Sequence, residues 1–404
     1  MSVTSRDIVV VGGGPAGTTT ALALAHAAPG LARRVVVLEK ARYPREKPCA
    51  GALGGRGDAL LGDLGVTIDV PSAHVDGISF HGARGAAEAS PGRIGRVVRR
   101  VEFDYALARA AASRGIEVRD GVGVERLHDD DGAIVVATTA GELAARVVVG
   151  CDGVGSVVRK SMGLGAGELR AQVIEVDTEP VPGDRDRALL HFDSADRRIA
   201  GYAWDFPTVV DGRALVCRGL YHLKTPRDAS RDGPDLGALL AERLRGLGID
   251  PARCQNKRYA ERGFEPAARL AQGRRMLVGE AAGIDPVTGE GIAQAIEFGV
   301  LAGRFLARTL GNGREGPGEL EGWQHVVAAS RLARDLRLRV RLMGLFYGPW
   351  RAEVEAFLAE TPAALFVGCQ HFAAQPRDWA RVGEVAGHAV ARVTAARIAA
   401  LLAR

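Results

Sequence analysis

The stretch Asp7–Gly17, which reads DIVVVGGGPAG, decides the fold of this chain. Its Ile-Val-Val-Val run is apolar and β-branched, and it predicts a buried strand. Gly12, Gly14 and Gly17 then form Gly-x-Gly-x-x-Gly ahead of an Ala- and Leu-rich segment over 18–28 that predicts a helix. The first glycine permits a tight turn, the second lets a pyrophosphate approach the backbone, and the third lets the helix pack on the strand. The stretch therefore predicts a dinucleotide-binding site.

A second apolar run over 34–39 completes a βαβ unit and ends in Glu39. A carboxylate at the end of this strand accepts hydrogen bonds from ribose hydroxyls and repels a 2′-phosphate. The unit therefore predicts a site for FAD or NAD rather than for NADP. We also assign to the cofactor site four residues near the glycine turn and the strand ends: Pro15, Ala16, Lys40 and Val122.

Two later segments carry a similar mixture of glycines and carboxylates. The first, Val148–Gly153, reads VVGCDG, and the second, Gly279–Ile292, reads GEAAGIDPVTGEGI. Together with Gly12–Gly17 and with Arg100, which stands before Phe103-Asp104, they resemble the flavoprotein superfamily of aromatic hydroxylases (group A monooxygenases) and geranylgeranyl reductases. The resemblance extends over roughly residues 6–310 and implies that the dinucleotide is FAD.

The resemblance implies a role for each of these segments. Arg100 is directed towards the flavin, and Asp152 lies near both the FAD and the path of a nicotinamide. Glu280 takes the place of the aspartate that usually bonds the ribityl chain in this superfamily. The helix that follows begins against the flavin ring, where its dipole stabilises negative charge on the reduced flavin. The remaining cofactor residues of this segment are Gly279, Pro286, Gly289, Gly291 and Ile292.

Two stretches point to the geranylgeranyl reductases within the superfamily. Lys47–Gly51, which reads KPCAG, resembles their Lys-x-Cys-Gly-Gly segment and implies that Cys49 and Ala50 lie next to the flavin. Gly201–Pro207, which reads GYAWDFP, resembles their Tyr-x-Trp-x-Phe-Pro motif. Because side chains alternate along a strand, its three aromatic residues share one face. That face either walls a pocket for an apolar substrate or covers a hydrophobic core. The three are Tyr202, Trp204 and Phe206.

The family implies hydride transfer from reduced FAD to a carbon–carbon double bond of an apolar small molecule. Cys49, Tyr202 and Trp204 are the expected catalytic residues, and Tyr202, Cys49 or water supplies the proton. A flavin monooxygenase that uses O₂ on an aromatic or polyketide-like substrate is the alternative, because one scaffold serves both reactions. A non-catalytic FAD-binding module is a third hypothesis. The halogenase motif Trp-x-Trp-x-Ile-Pro does not occur.

Composition and motif counts limit the kinds of partner, metal and membrane contact that we expect for this chain. Only the Gly-x-Gly-x-x-Gly over 12–17 follows a predicted strand, and the sequence shows no second dinucleotide domain. We therefore expect electrons from transiently bound NADH or NADPH, or from a separate reductase or ferredoxin. The net charge of +5 is dispersed, which argues against a nucleic-acid partner. The five cysteines form no Cys-x-x-Cys pair, and the histidines lack metal-ligand spacing, so we expect no metal site and a cytoplasmic location.

No apolar run is long enough for a transmembrane segment. The basic stretch Arg331–Tyr347 either contacts a membrane surface or caps the substrate domain, and the substrate is expected to be an apolar small molecule or lipid.

The order of these patterns predicts an α/β fold with an interrupted nucleotide domain. We expect a Rossmann-like FAD-binding domain over 1–170 and 260–315, and an antiparallel β-sheet substrate domain over 171–259. Asp211-Gly212 predicts a hairpin turn inside that sheet. Residues 316–404 are expected to form a helical C-terminal region.

Overall fold

The computed structural model describes residues 4–184, 188–224, 233–311 and 317–402. Strands and helices are numbered in chain order. The strands are β1 (Thr4–Val11), β2 (Val35–Glu39), β3 (Ala52–Gly54), β4 (Ser72–Val75), β5 (Gly77–Gly82), β6 (Gly85–Ala89), β7 (Gly95–Val98), β8 (Glu117–Asp120), β9 (Val124–Asp130), β10 (Ala133–Thr138), β11 (Gly141–Gly150), β12 (Arg170–Thr178), β13 (Leu189–Asp193), β14 (Gly201–Val210), β15 (Arg213–Leu223), β16 (Lys257–Arg262), β17 (Ala271–Gln272) and β18 (Arg275–Leu277). The α-helices are α1 (Pro15–Ala27), α2 (Gly55–Gly62), α3 (Arg100–Ser113), α4 (Val157–Ser161), α5 (Leu236–Gly246), α6 (Ile292–Gly311), α7 (Pro317–Ala329), α8 (Arg331–Phe346), α9 (Arg351–Glu360), α10 (Pro362–Ala373) and α11 (Trp379–Leu402).

The first sheet has the order β17-β18-β11-β1-β2-β8, with β10 and β9 continuing from one end of β11. The pairs β18–β11, β11–β1, β1–β2 and β2–β8 are parallel. This arrangement confirms the predicted βαβ unit. Helix α6 begins at the end of the third segment, Gly279–Ile292, and packs on α1. Gly303 makes that contact so close that a methyl group there would lie 2.5 Å from the carbonyl oxygen of Thr20.

The second sheet has the order β16-β12-β15-β14-β13-β5-β6, and its pairs are antiparallel except β13–β5. The predicted hairpin joins β14 to β15, and Asp211 and Gly212 have φ values of +50° and +75°. Both signs are those a two-residue type I′ turn requires. The division by sequence placed residues 77–89 in the FAD-binding domain, whereas they form β5 and β6 at the edge of this sheet. The pairing of β5 with β13 joins positions more than a hundred residues apart, and no local pattern predicts it.

The C-terminal region is helical, as expected, and it closes one side of the second sheet. Helices α9 and α10 lie against β5 and β6, and α10 also contacts α2. A small sheet of order β3-β7-β4 connects this region to the loop around Cys49. Among the described residues, no helix combines the length and the apolar composition needed to cross a bilayer. The chain therefore has the expected α/β fold with a sheet insertion and a helical end.

Candidate active site

The three sequence segments meet at one edge of the first sheet. Val11 at the end of β1 is in register with Gly150 of β11 and with Leu38 of β2, and Gly150 is in register with Leu277 of β18. The carboxyl ends of parallel strands face the same way, and ligands of open α/β sheets bind outside these ends. The glycine turn after β1, the Asp152 turn after β11 and the Gly279 turn after β18 are therefore neighbours.

The glycine turn has the form that a dinucleotide site requires. Gly12 has a φ of +103°, and a methyl group there would lie 2.4 Å from the carbonyl oxygen of Cys151. Gly17 is packed against the turn itself, since a methyl group there would lie 1.9 Å from the carbonyl oxygen of Gly12. Helix α1 begins at Pro15, and neither a capping side chain nor an acidic residue covers its first turn. Its free N–H groups can therefore bind an anion.

Two arginines, Arg45 and Arg100, lie beside this turn. The Arg100 guanidinium donates to both oxygens of Asp104 at 2.7 Å, and Nη2 of Arg45 lies 3.0 Å from Asp104 and 3.2 Å from Glu39. A methyl group at Gly14 would lie 3.4 Å from Nη2 of Arg100 and 3.7 Å from Nη2 of Arg45. The Nε of Arg45 is buried without a hydrogen-bond partner. Guanidinium N–H groups beside the free N–H groups of α1 fit a pyrophosphate, and no sequence motif predicts Arg45.

Glu39 lies at the end of β2, where the ribose is predicted to bind. Its carboxylate accepts hydrogen bonds from the N–H groups of Gly13 at 3.0 Å and Ala41 at 3.1 Å. Val122 lies next to it, with its N–H 2.9 Å from the carbonyl oxygen of Glu39, whereas Lys40 is exposed. The structure thus places Val122 and Lys40 around Glu39, and their roles towards the cofactor stay predictions.

The Asp152 carboxylate lies at the N-terminal end of α4. It accepts hydrogen bonds from the hydroxyl of Ser156 at 2.6 Å and from the N–H groups of Val157 at 2.6 Å and Val158 at 3.2 Å. Burial raises the pKa of Asp152. The backbone of Asp152 is the part that borders the glycine turn, because its Cα lies 3.0 Å from a methyl group placed on Gly12.

Glu280 follows β18 and has one oxygen free for a ligand. Its Oε2 lies 3.8 Å from Nζ of Lys47, while Oε1 is buried without a partner. The turn before it is tight, since Gly279 has a φ of +64° and lies so close to Ala16 that a methyl group would be 2.6 Å from the Ala16 side chain. An acceptor without a donor at this edge fits a ribityl hydroxyl, so the residues present suit FAD.

A cavity of about 360 Å³ borders the third segment. Tyr202, Trp204 and Phe206 line it, and neighbouring rings along the strand have centroids 6.2 Å apart. Trp204 and Phe206 are also buried in a hydrophobic cluster, so this face both packs and forms a wall. The cavity is lined as well by residues predicted to lie at the flavin, namely Cys49, Ala50, Gly289, Gly291 and Ile292.

Three tyrosines fix the loop of the third segment to this cavity. Their hydroxyls donate to the successive carbonyl groups of Pro286–Thr288: Tyr221 to the first at 3.0 Å, Tyr347 to the second and Tyr202 to the third. Burial raises the pKa of all three phenols, so each remains protonated. The predicted catalytic hydroxyl of Tyr202 therefore has a backbone partner.

Cys49 reaches the cavity from the loop before β3. Its N–H donates to Oε1 of Glu175 at 2.9 Å, and burial raises the pKa of its thiol. One charged residue of the cavity comes from a helix that carries none of these motifs. Arg339 of α8 pairs with Asp285 and, at 3.0 Å, with Glu290. No sequence motif predicts these ion pairs, because their members are brought together only by tertiary packing.

Residues 5–325 match the FAD binding domain family. The chain belongs to this family. Among its relatives, digeranylgeranylglycerophospholipid reductase 1 of Methanopyrus kandleri is 31% identical over 75% of this chain and 81% of its own length. Menaquinone reductase of Mycobacterium tuberculosis is 29% identical over 75% of this chain and 76% of its own length. The chain is thus a geranylgeranyl reductase-like, FAD-dependent oxidoreductase, as the sequence motifs implied.

Solved structures share the whole fold. A geranylgeranyl bacteriochlorophyll reductase-like protein of Thermoplasma acidophilum has a TM-score of 0.72 and 19% identity, covering 96% of this chain and 100% of its own. OxyS anhydrotetracycline hydroxylase of Streptomyces rimosus has a TM-score of 0.64 and 21% identity, covering 93% and 78%. A reductase-like protein and a hydroxylase thus have one architecture, so the fold does not select the reaction.

Proposed function

We propose that this oxidoreductase reduces a carbon–carbon double bond of a largely apolar, lipid-like molecule. The observation that carries the proposal is the aromatic cavity of about 360 Å³ that borders the predicted flavin segment Gly289–Ile292. Ligand cavities of this size and apolar lining hold small organic molecules and exclude water. Relatives named as reductases of a digeranylgeranylglycerophospholipid and of menaquinone support the same substrate class.

The chain's own residues would hold the cofactor and the substrate. The start of α1, together with Arg45 and Arg100, binds the pyrophosphate, Glu39 binds the ribose, and Glu280 binds the ribityl chain. Bound FAD, once reduced, supplies a hydride. The cavity orients the double bond and keeps water away, which is the contribution that a protein makes to cofactor chemistry.

Electrons would reach the site from outside the chain. The Gly-x-Gly-x-x-Gly over 12–17 joins a strand to a helix, and we assign it to FAD, whereas the second match in the sequence, over 311–316, begins at the last residue of α6. We therefore propose transient binding of NADH or NADPH, or contact with a separate reductase or ferredoxin. Stopped-flow mixing of the oxidised protein with each donor distinguishes these sources.

The reduced protein is expected to saturate a polyprenyl double bond without oxygen. The flavin is reduced with dithionite under argon, and a geranylgeranyl ether lipid in detergent is added. Return of the oxidised flavin spectrum together with a product heavier by one pair of hydrogens supports the proposal. In a parallel reaction, incorporation of oxygen from ¹⁸O₂ into the product would replace it with the monooxygenase alternative. Absence of turnover with every donor and probe would favour a binding module.

The outer face of α8 suggests how a lipid would reach the cavity. Leu338 and Leu345 are 54% and 39% exposed on this face, and Trp350 just after the helix is 59% exposed. Arg334 and Arg341 lie between and beside the leucines, and neither has an ion-pair partner within the described residues. The turn after the helix lines the cavity on its inner side. We propose that this face contacts an anionic lipid surface.

Loss of the apolar anchors should weaken vesicle binding. A Leu338→Ser/Trp350→Ser protein is expected to bind vesicles that contain phosphatidylglycerol at least about 10-fold more weakly than the unmodified chain, since two exposed apolar groups no longer enter the interface. Co-sedimentation measures the binding. Arg245→Glu, which changes an exposed charge on α5, serves as the control and should leave it unchanged. Equal binding by the double variant would disprove the contact.

A further inference from the structure

One carboxyl group in the cavity wall has an oxygen without a hydrogen-bond partner. Glu261 lies on β16, and its side chain lines the cavity. Its Oε2 is buried without a hydrogen-bond partner. A methyl group at Gly289, in the segment predicted to lie at the flavin, would be 2.7 Å from this oxygen. The next residue of the strand, Arg262, is turned away and donates to the carbonyl oxygen of Ala282 at 2.9 Å. Glu261 is therefore placed where the cavity meets the flavin segment.

The surroundings of Glu261 favour its neutral form. Burial is the main cause that raises the pKa of Glu261 well above its usual value, and the nearby carboxyls of Glu280, Asp285 and Glu175 raise it further. Lys47 lowers it, but this ammonium also lies 3.8 Å from Glu280. These effects favour the carboxylic acid, which is the form that has an O–H to donate.

The other acids around the cavity have partners. Glu290 pairs with Arg339 at 3.0 Å, and Glu355 pairs with Arg351 at 2.9 Å. The three tyrosine hydroxyls donate to the carbonyl groups of Pro286–Thr288. A proton taken from one of these phenols would break a buried hydrogen bond, whereas Glu261 Oε2 has none to lose.

We propose that Glu261 is the general acid that protonates the substrate during reduction of its double bond. The inference rests on the proposed function. A hydride from the reduced flavin adds to one alkene carbon with both electrons of the new bond. The π bond breaks, and its electron pair takes the carboxyl proton of Glu261 at the other carbon. The saturated product leaves, and the Glu261 carboxylate regains its proton from solvent water.

Replacement of Glu261 by Gln removes the proton and keeps the shape. The anaerobic reduction of the geranylgeranyl ether lipid is expected to slow by about 100-fold or more in Glu261→Gln. The rate of the unmodified chain should stay high below the raised pKa of Glu261 and fall as the pH rises through it, and this fall should disappear in the variant. Glu261→Asp keeps the acid one methylene further away and should recover part of the rate together with its pH dependence.

A second measurement reports the proton without turnover. Infrared difference spectra of the oxidised FAD-bound protein at neutral pH should contain the carbonyl band of a protonated carboxylic acid, and Glu261→Gln should lack it. Glu242→Gln is the matched control, because this exposed glutamate pairs with Arg198, which lowers its pKa, and its loss leaves the band in place. FAD affinity should be the same in all three proteins.

The two measurements separate failure of this inference from failure of the proposed function. If the unmodified chain reduces alkenes but Glu261→Gln keeps its rate and pH profile, Glu261 is not the acid. The same conclusion follows if the infrared band is missing from the unmodified chain. If the band is present but no alkene is reduced under any condition, the proposed reaction is wrong and the donor role is withdrawn with it.

Discussion

A Gly14→Val protein is expected to fold and yet to lose its FAD. Gly14 has a φ of −76°, which any residue adopts, and the nearest atom to a methyl group there is Nη2 of Arg100 at 3.4 Å. The added isopropyl group would fill the space over the first turn of α1, which a pyrophosphate must approach. We expect FAD affinity to fall by about 100-fold or more, which corresponds to ~3 kcal/mol. Titration of the apoprotein with FAD measures the loss.

Two further glycines provide the comparison. Gly17→Val should prevent folding, because its Cβ would lie 1.9 Å from the carbonyl oxygen of Gly12 and backbone atoms cannot move aside. Gly30→Val should bind FAD normally, because nothing lies within 4 Å of the added carbon. Circular dichroism on heating distinguishes a folded apoprotein from an unfolded chain. A yellow Gly14→Val protein with unchanged affinity would mean that the cofactor does not approach this turn.

The strand–turn–helix structure at the predicted cofactor edge could be predicted from the sequence because its signals are local. Gly12 and Gly17 are required by contacts within a single strand–turn–helix unit, so a short pattern contains the whole reason for them. The hairpin at Asp211-Gly212 is local in the same sense, because two positive φ values in succession are a property of the turn itself. The parallel order of β11, β1 and β18 then brings the three segments together without any further information.

The contacts of the charged residues at the site could not be predicted from such local patterns. Arg45 meets Asp104, and Arg339 meets Asp285, across 50 or more positions, and neither arginine belongs to one of the sequence motifs. Glu261 stands out only when its free oxygen and its position against Gly289 are known. Whether two such charges meet depends on which elements become neighbours in the fold. The positions of β5 and β6 in the second sheet show that local sequence patterns do not predict these neighbours.

The aromatic residues of β14 fit both interpretations of their sequence pattern, because they cover a hydrophobic core and also line a cavity. Trp204 lies over Gly219 of the adjacent strand so closely that a methyl group there would be 2.2 Å from the indole ring. The ring is thus fixed by packing on one side while it lines the cavity on the other. Rigid walls of this kind position a flexible apolar substrate better than mobile side chains do, because fewer rotamers must be ordered on binding.

Arg351→Ala should cause the largest loss of stability among single changes at the cavity. This buried guanidinium donates to the carbonyl oxygens of Ile199 at 2.6 Å and Gly201 at 3.0 Å, and to Glu355 at 2.9 Å. It thereby joins α9 to the chain that enters the aromatic strand. Removal of this guanidinium leaves the buried carbonyl oxygens without donors and leaves the buried Glu355 carboxylate with less positive charge beside it. We expect the free energy of unfolding to fall by about 3–5 kcal/mol, as measured by urea denaturation of the FAD-bound protein.

Arg197→Ala tests whether burial is the reason for the loss of stability expected in Arg351→Ala. Arg197 pairs with the same Glu355 at 2.5 Å, but its side chain is 41% exposed. Water replaces a partner at such a position, so the expected loss is below about 1 kcal/mol. A similar loss for both variants would show that the charge of Glu355, rather than the carbonyl groups of the aromatic strand, makes Arg351 necessary. The predicted difference would instead mean that the C-terminal helices stabilise the cavity wall through the backbone, which leaves the aromatic side chains free to face the substrate.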